Sequence, residues 1–90
     1  MATFKILNEV KRSEITSENF NREQDWDLCL HEGIYKYDNQ TSEYGFRFIY
    51  RRPGGNIQAA RGGARIPSLE VADQLIAEAR RRGWGNADYD

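Results

Sequence analysis

Residues 44–61 read YGFRFIYRRPGGNIQAAR, and this stretch decides the fold. Its aromatic and charged side chains alternate, and a period of two is typical of a β-strand with two different faces. Proline and glycine at 53–55 predict a tight turn, so that residues 57–61 form a return strand. With a two-residue or a four-residue loop, one face of the hairpin is aromatic and the other carries arginine. The aromatic face then holds Phe46, Phe48, Tyr50, Ile57 and Ala59.

A helix follows in residues 68–84, which read SLEVADQLIAEARRRGW. Ser68 is a good N-cap for the helix that the sequence predicts over residues 69–82. Gly83 indicates the stop, with Trp84 folding back onto the last turn. The apolar stripe of this helix is expected to cover the aromatic face of the hairpin. It consists of Leu69, Ala72, Leu75, Ile76 and Ala79.

Two more strands are predicted upstream, at residues 3–10 and 26–37. The polar stretch between them is either a long connection or holds a short helical turn, and turn-forming residues at 38–43 lead into the hairpin. Gly33 leaves two interpretations of the second strand open. If the strand is regular, its tyrosines face away from its leucines. If Gly33 lies in a bulge, both sets can face inward.

Together these elements predict one α+β domain over residues 1–90. It is a small antiparallel sheet of three to four strands with one C-terminal helix packed on one face. Residues 44–84 form its strand–turn–strand–helix unit, and residues 85–90 are expected to fray. A sheet this short can pair through an edge strand with another copy, so we expect a monomer or a weak homo-oligomer.

The composition restricts the classes of protein that fit. The chain has 90 residues, of which 39% are hydrophobic, and a single cysteine, Cys29. One cysteine excludes an internal disulfide and fits a reducing compartment, and no apolar run suits a signal peptide or a membrane span. We therefore expect a soluble, cytoplasmic protein with no membrane partner.

Charge is spread unevenly along the chain. Residues 1–45 hold five basic and nine acidic side chains, whereas residues 46–90 hold eight arginines and five acidic side chains. Arginine presents a planar fork that matches carboxylate or phosphate. The acidic pI near 5.8 disfavours a tight nucleic-acid binder, because such affinity depends on neutralising phosphates.

Two sets of residues are candidates for partner contact. On the sheet face opposite the helix, tyrosines join the arginines if the second strand is regular. If this face is exposed, the interleaved tyrosines and arginines would anchor a protein interface or stack on bases. If the N-terminal strand or residues 13–25 cover it instead, its aromatic residues belong to the core. The set on this face comprises Tyr35, Tyr37, Arg47, Ile49 and Arg51. In the loop before the helix, backbone amides and guanidinium groups can converge on an anion. This set comprises Arg61, Gly62, Gly63 and Arg65. A protein partner is the main hypothesis, and nucleic acid is the alternative.

Cys29 and His31 are two residues apart on a predicted strand and therefore share a face. A zinc site needs three or four ligands, and the chain has no further cysteine or histidine. A Cys–His nucleophile would need an oxyanion donor and an orienting group, of which the sequence gives no sign. The alternative is a buried thiol beside a hydrogen-bonded imidazole. We therefore expect no metal, no cofactor and no catalytic residue, and a protein that is not an enzyme.

The hairpin-then-helix layout begins with residues 46–55, FRFIYRRPGG. In general pattern, residues 44–82 resemble the three-stranded DNA-reading domains at the start of some phage integrases. Those domains place a small sheet in the major groove with a helix behind it, so the resemblance implies a sheet face that contacts DNA. The acidic pI departs from that class.

Overall fold

A computed structural model describes residues 3–15, 20–21, 23–58 and 64–85 of the chain. It has a three-stranded antiparallel sheet in the order β1-β2-β3 and one C-terminal helix, which confirms the predicted α+β class. In chain order the elements are β1 (Thr3–Lys11), α1 (Arg12–Ile15), β2 (Asp27–Lys36), β3 (Ser42–Arg51) and α2 (Leu69–Arg81). Residues 86–90, for which fraying was predicted, lie outside the described residues. No helix within the described ranges is long and apolar enough to cross a membrane.

The central strand, β2, is regular along its length. It pairs with β3 from end to end without a shift in register. The irregularity lies in β1, where the register shifts between Ile6 and Asn8. Of the two interpretations left open for Gly33, the regular strand is therefore the observed one. Side chains of odd and even number in β2 project from opposite faces of the sheet.

Gly33 pairs with Ile6 at that shift, and the fold needs a residue without a side chain there. A Cβ on Gly33 would lie 2.5 Å from Cζ of Phe4 and still closer to the carbonyl oxygen of Lys5. Carbon atoms do not approach other non-bonded atoms so closely. The glycine therefore allows the Phe4 ring to lie across β2.

The core lies between the sheet and α2. Ser68 caps the helix as predicted, since its Oγ accepts a hydrogen bond from the Val71 amide at 3.2 Å. At the other end, Gly83 adopts a φ of 88° and the Trp84 amide donates to the Ala79 carbonyl at 3.0 Å, so the glycine stop is also confirmed. Buried side chains of β1, β2 and α2 meet in this core: Val10, Leu28, Leu30, Val71, Leu75 and Ala79.

The predicted apolar stripe of α2 was wrong at one end. Leu69 is 82% exposed, whereas Val71, which the stripe omitted, is buried. Leu69 lies roughly 120° around the helix from the middle of the row formed by residues 71, 75 and 79. Its side chain therefore projects away from the core.

The chain turns after β3 as predicted, but in a different register. The Arg52 amide donates to the Asn56 carbonyl at 2.6 Å, which encloses a three-residue loop, and Ile57 pairs with Arg51. The prediction assumed a loop of two or four residues, and the observed loop differs from each by one residue. Each side chain of the return strand therefore projects from the opposite face of the sheet to the one predicted. Ile57 therefore belongs to the face of Arg51 and not, as predicted, to the aromatic face. The rest of the predicted return strand, residues 59–61, lies outside the described residues.

The helix α2 packs mainly over β1 and β2, so the aromatic face of β3 is covered unevenly. Phe48 and Tyr50 pack against the core, but Phe46 is 47% exposed. The prediction that the helix covers every ring was therefore wrong for Phe46. A helix of 13 residues is about 20 Å long and about 10 Å wide, which is too narrow to cover three strands.

Candidate binding face

The side of the sheet opposite α2 is named the far face. Strand pairing and alternation place on it the six side chains that form the candidate site: Phe4, Glu9, His31, Tyr35, Arg47 and Arg51. Glu9 pairs with His31 and His31 pairs with Arg47, so a carboxylate, an imidazole and a guanidinium lie side by side across the three strands.

His31 is fully buried and joins two neighbours through its two ring nitrogens. Nε2 lies 2.6 Å from Oε2 of Glu9, and Nδ1 lies 3.3 Å from Nε of Arg47. Because an arginine Nε–H can only donate, Nδ1 must accept, and the ring proton is on Nε2, which donates to Glu9. His31 is therefore neutral. Burial, together with the charges of Arg47 and Arg51, lowers its pKa despite the opposing effect of Glu9.

Glu9 is the anionic centre of the far face. Its Oε2 also accepts a hydrogen bond from Nε of Arg51 at 2.7 Å. Burial alone would raise the pKa of Glu9, but the hydrogen bonds from Arg51 and His31 lower it overall. The hydrogen bond to Glu9 raises the pKa of Arg51. Nη1 of Arg51 also donates to the Gly55 carbonyl at 2.6 Å. The charge of Arg51 is thus compensated within the molecule.

Arg47 is held in place by an imidazole and an aromatic ring. Its Nε donates to His31, and its guanidinium carbon lies 4.1 Å from the centre of the Phe4 ring. Phe4 in turn meets the Tyr35 ring edge-on, with 4.6 Å between the centroids. Burial lowers the pKa of Arg47. The ordinary pKa of arginine is so high, however, that the guanidinium stays charged. No carboxylate of the described residues forms an ion pair with it.

Cys29 shares the far face with His31, as the spacing predicts, and it is buried. Its Sγ donates to the Asp27 carbonyl at 3.4 Å. Burial, followed by the charges of Glu9 and Asp27, raises the pKa of Cys29 to about 12, so the thiol stays protonated at neutral pH. Among the residues that the structure describes, no group of three or more His, Cys, Asp or Glu side chains could hold a metal ion.

The other predicted contact residues are more scattered. Ile49 is on the far face but only 4% exposed, so it contributes to packing. Tyr37 follows the end of β2 and is 38% exposed. Arg65 is exposed, and its carbonyl accepts a hydrogen bond from the Tyr50 hydroxyl at 2.7 Å. The rest of the predicted anion-binding loop lies outside the described residues: Arg61, Gly62 and Gly63.

Sequence reasoning missed two residues of this site, Phe4 and Glu9. Strict alternation puts Phe4 on the same face as Val10 and therefore opposite Glu9. The register shift after Ile6 adds one residue to β1 and brings Phe4 and Glu9 to the same face. The sequence signal for this shift is Gly33, which is on the neighbouring strand and could not be assigned to β1.

The fold and the site define a small α+β domain with a three-stranded sheet, one covering helix and a far face that combines arginine with aromatic rings. Comparison of the chain with protein-family models, with curated proteins and with solved structures finds no match. The function is therefore inferred from the geometry.

Proposed function

We propose that the protein is a non-catalytic interaction module that binds another protein through the far face, with Arg47 receiving a carboxylate of that partner. The position of Arg47 carries the proposal. Its guanidinium is fixed by His31 and Phe4, yet it has no acidic partner among the described residues. The proposal includes a cytoplasmic location, which the single free thiol of Cys29 supports.

A guanidinium that is already held in place loses little conformational freedom when it binds. An arginine side chain carries about 2 kcal/mol of rotamer entropy. The bond to His31 and the contact with the Phe4 ring restrain Arg47 before any partner arrives. With Nε occupied, Nη1 and Nη2 remain for the paired hydrogen bonds that a carboxylate accepts. Phe4 and Tyr35 add aromatic area of the kind that anchors protein interfaces.

The charge pattern of the far face favours a protein over a nucleic acid. Glu9 lies in its centre, Arg51 is compensated by Glu9, and the whole chain carries a net charge of −1. Nucleic acid presents a row of phosphates and needs several uncompensated cations. A protein can present one carboxylate among apolar groups. Nucleic acid is kept as the alternative because Phe4 and Tyr35 offer rings on which bases can stack.

Two side chains support a non-catalytic role. Cys29 is buried, and its pKa of about 12 makes it a poor nucleophile at neutral pH. Both ring nitrogens of His31 are engaged, one by Glu9 and the other by Arg47, and the ring is fully buried. The imidazole is therefore not placed to exchange a proton with a substrate.

The proposal is tested by selecting peptides from a random display library on the immobilised protein and titrating the enriched peptides by calorimetry. We expect these peptides to carry Asp or Glu beside apolar residues. Arg47→Ala should weaken their binding about tenfold or more, because it removes a charge-assisted pair worth roughly 1.5–3 kcal/mol. Arg47→Lys should recover only part of the loss, because lysine has no fork and no Nε to meet His31.

Arg52→Ala is the matched control. Arg52 follows the end of β3 and also lies over an aromatic ring, at 5.9 Å from the centre of Trp26, but it is outside the Glu9–His31–Arg47 network. This variant should bind the peptides as the wild type does. Enriched peptides without acidic residues, or equal losses in the Arg47 and Arg52 variants, would contradict the proposal.

A further inference from the structure

A second concave site lies on the other side of the sheet, between β3 and α2. It is a cleft of about 530 Å³, a volume typical of small-molecule sites. Phe46 and Phe48 of β3, Ile76 of α2 and Trp84 beyond its end form much of the wall, together with Leu30 of β2. The cleft exists because α2 packs mainly over β1 and β2 and leaves the aromatic side chains of β3 partly uncovered.

Among the described residues that line this cleft, Arg80 alone is charged. It stands one helical turn after Ile76, so the two side chains share one face of α2. The two arginines that follow it are both bound to Glu78, Arg81 through Nε at 2.9 Å and Arg82 through Nε at 2.8 Å. Arg80 has no ion-pair partner in the described part of the chain. Within the described residues, its charge is therefore not compensated.

A buried carboxylate adjoins the cleft where Gly85 lines it. There Glu32 accepts hydrogen bonds from the Gly85 amide at 3.2 Å, from Nδ2 of Asn8 at 2.6 Å and from the Tyr44 hydroxyl. Burial alone would raise the pKa of Glu32, but these bonds lower it, so the carboxylate is ionised. An anionic group in the cleft is therefore drawn to Arg80 and repelled by Glu32, which fixes its orientation.

We propose that this cleft binds a small monocarboxylate with an apolar body, with the carboxylate on Arg80 and the body against Phe46, Phe48 and Trp84. Arg80 selects an anion, and the aromatic wall selects an apolar body, because a polar one would lose its hydration without gaining hydrogen bonds. The cleft and Arg47 are on opposite sides of the sheet, so this proposal can fail or succeed independently of the one for the far face.

The probe is octanoate, well below its micelle-forming concentration, titrated into the isotope-labelled protein and followed by NMR. The Gly85 amide and the Trp84 indole N–H report directly on the cleft. We expect saturable shifts of both signals. Octan-1-ol and octyltrimethylammonium should bind about tenfold more weakly than octanoate. The alcohol is uncharged and offers a guanidinium one oxygen instead of two, and the ammonium ion is positively charged and has no hydrogen-bond acceptor.

Two variants distinguish octanoate binding through a charge contact with Arg80 from binding through the apolar chain alone. Arg80→Ala should weaken octanoate binding about tenfold, whereas Arg81→Ala should not change it, because Arg81 is outside the lining and bound to Glu78. Undiminished binding in Arg80→Ala, or equal affinity for octanoate and octan-1-ol, would overturn the carboxylate assignment and make the cleft a site for an apolar partner segment. The absence of saturable shifts at Gly85 and Trp84 would overturn the site itself.

Discussion

The far face depends on a single residue, His31, because its two nitrogens connect Glu9 to Arg47. In the neutral ring, Nδ1 accepts from Arg47. Protonation would place a hydrogen on both nitrogens, and Nδ1–H would then face the Nε–H and the positive charge of Arg47. The bond to Glu9 persists in both states, but the bond to Arg47 exists only with the neutral ring. One side chain therefore couples the position of Arg47 to pH.

We predict that the protein loses stability as the pH falls below 6.5, the ordinary pKa of histidine. The pKa of His31 is lower than this in the folded state, so between the two values the unfolded chain binds more protons, and protonation favours unfolding. The contribution of neutral His31 is present above pH 6.5 and is lost as the pH falls toward the folded-state pKa. Glu9, whose pKa is also lowered, adds a loss of the same sign at more acidic pH. Urea denaturation at a series of pH values, from above 6.5 into the more acidic region, measures the loss from His31 and the loss from Glu9.

The control for this prediction is direct, because the chain has one histidine and its NMR titration reports one pKa. His31→Gln should flatten the dependence just below pH 6.5 and keep the acidic part that comes from Glu9. A folded-state pKa of His31 above 6.5 would contradict the neutral assignment, since Glu9 would then outweigh burial and the two arginines.

Gly33 and Gly45 are partners across β2 and β3, yet the same substitution should affect them differently. A Cβ at Gly33 would collide with Phe4 and with the backbone of Lys5, whereas a Cβ at Gly45 meets nothing within 4 Å. Gly33→Ala should lower the free energy of unfolding by about 1–3 kcal/mol. Gly45→Ala should be neutral or raise it by up to about 1 kcal/mol. Chemical denaturation compares the two, and equal effects would show that Phe4 does not lie across β2.

At the scale of elements, α2 shows where an amphipathic pattern stops predicting the core. The pattern puts Leu69 and Leu75 in one stripe, but Leu69 is exposed and Leu75 is fully buried. Leu75→Ala should lower the free energy of unfolding by about 2–5 kcal/mol, a large share of the stability of a domain this small. Leu69→Ala should change it by less than about 0.5 kcal/mol. Thermal or urea denaturation distinguishes them, and similar losses would place Leu69 in the core after all.

Elements whose signals are local could be predicted from the sequence, and contacts between strands could not. Alternation identifies β3 without reference to its neighbours, and Ser68 and Gly83 mark the ends of α2. The register shift in β1 and the three-residue loop at 53–55 depend on how two strands pair. The local sequence pattern of one strand does not predict that pairing. The shift and the loop each move side chains to the other face of the sheet.

The same division applies to the candidate site. Alternation alone was enough to predict that Arg47 and Arg51 share a face, because β3 is regular. Tyr35 shares that face only in the regular one of the two interpretations left open for β2, which is the observed one. Glu9 and Phe4 were missed, because the shift in β1 decides which face they take. Without these two residues, Arg51 lacks its counter-charge and Arg47 lacks the ring that restrains it. The sequence therefore identifies the cations of the site but not which of them is available to a partner.

At the scale of the whole molecule, folding brings the acidic and basic halves of the chain together. Arg51 pairs with Glu9, which is 42 residues away, and Arg82 pairs with Glu14, which is 68 residues away. These contacts join the end of β3 to β1 and the end of α2 to α1. The charge asymmetry of the sequence is thus partly cancelled in the folded protein.

This cancellation predicts weak nucleic-acid binding with a shallow dependence on salt. Arg47 and Arg80 are outside these long-range pairs, but they lie on opposite sides of the sheet and cannot align along one phosphate backbone. With labelled single-stranded DNA, fluorescence anisotropy should give a slope of log K against log salt near −1, since each neutralised phosphate contributes roughly −0.7. Glu9→Gln removes the counter-charge of Arg51, places a second uncompensated guanidinium beside Arg47 and should steepen the slope by about 0.7. A steep slope in the wild type would mean that several arginines contact phosphates together, and nucleic acid would then replace protein as the partner of the far face.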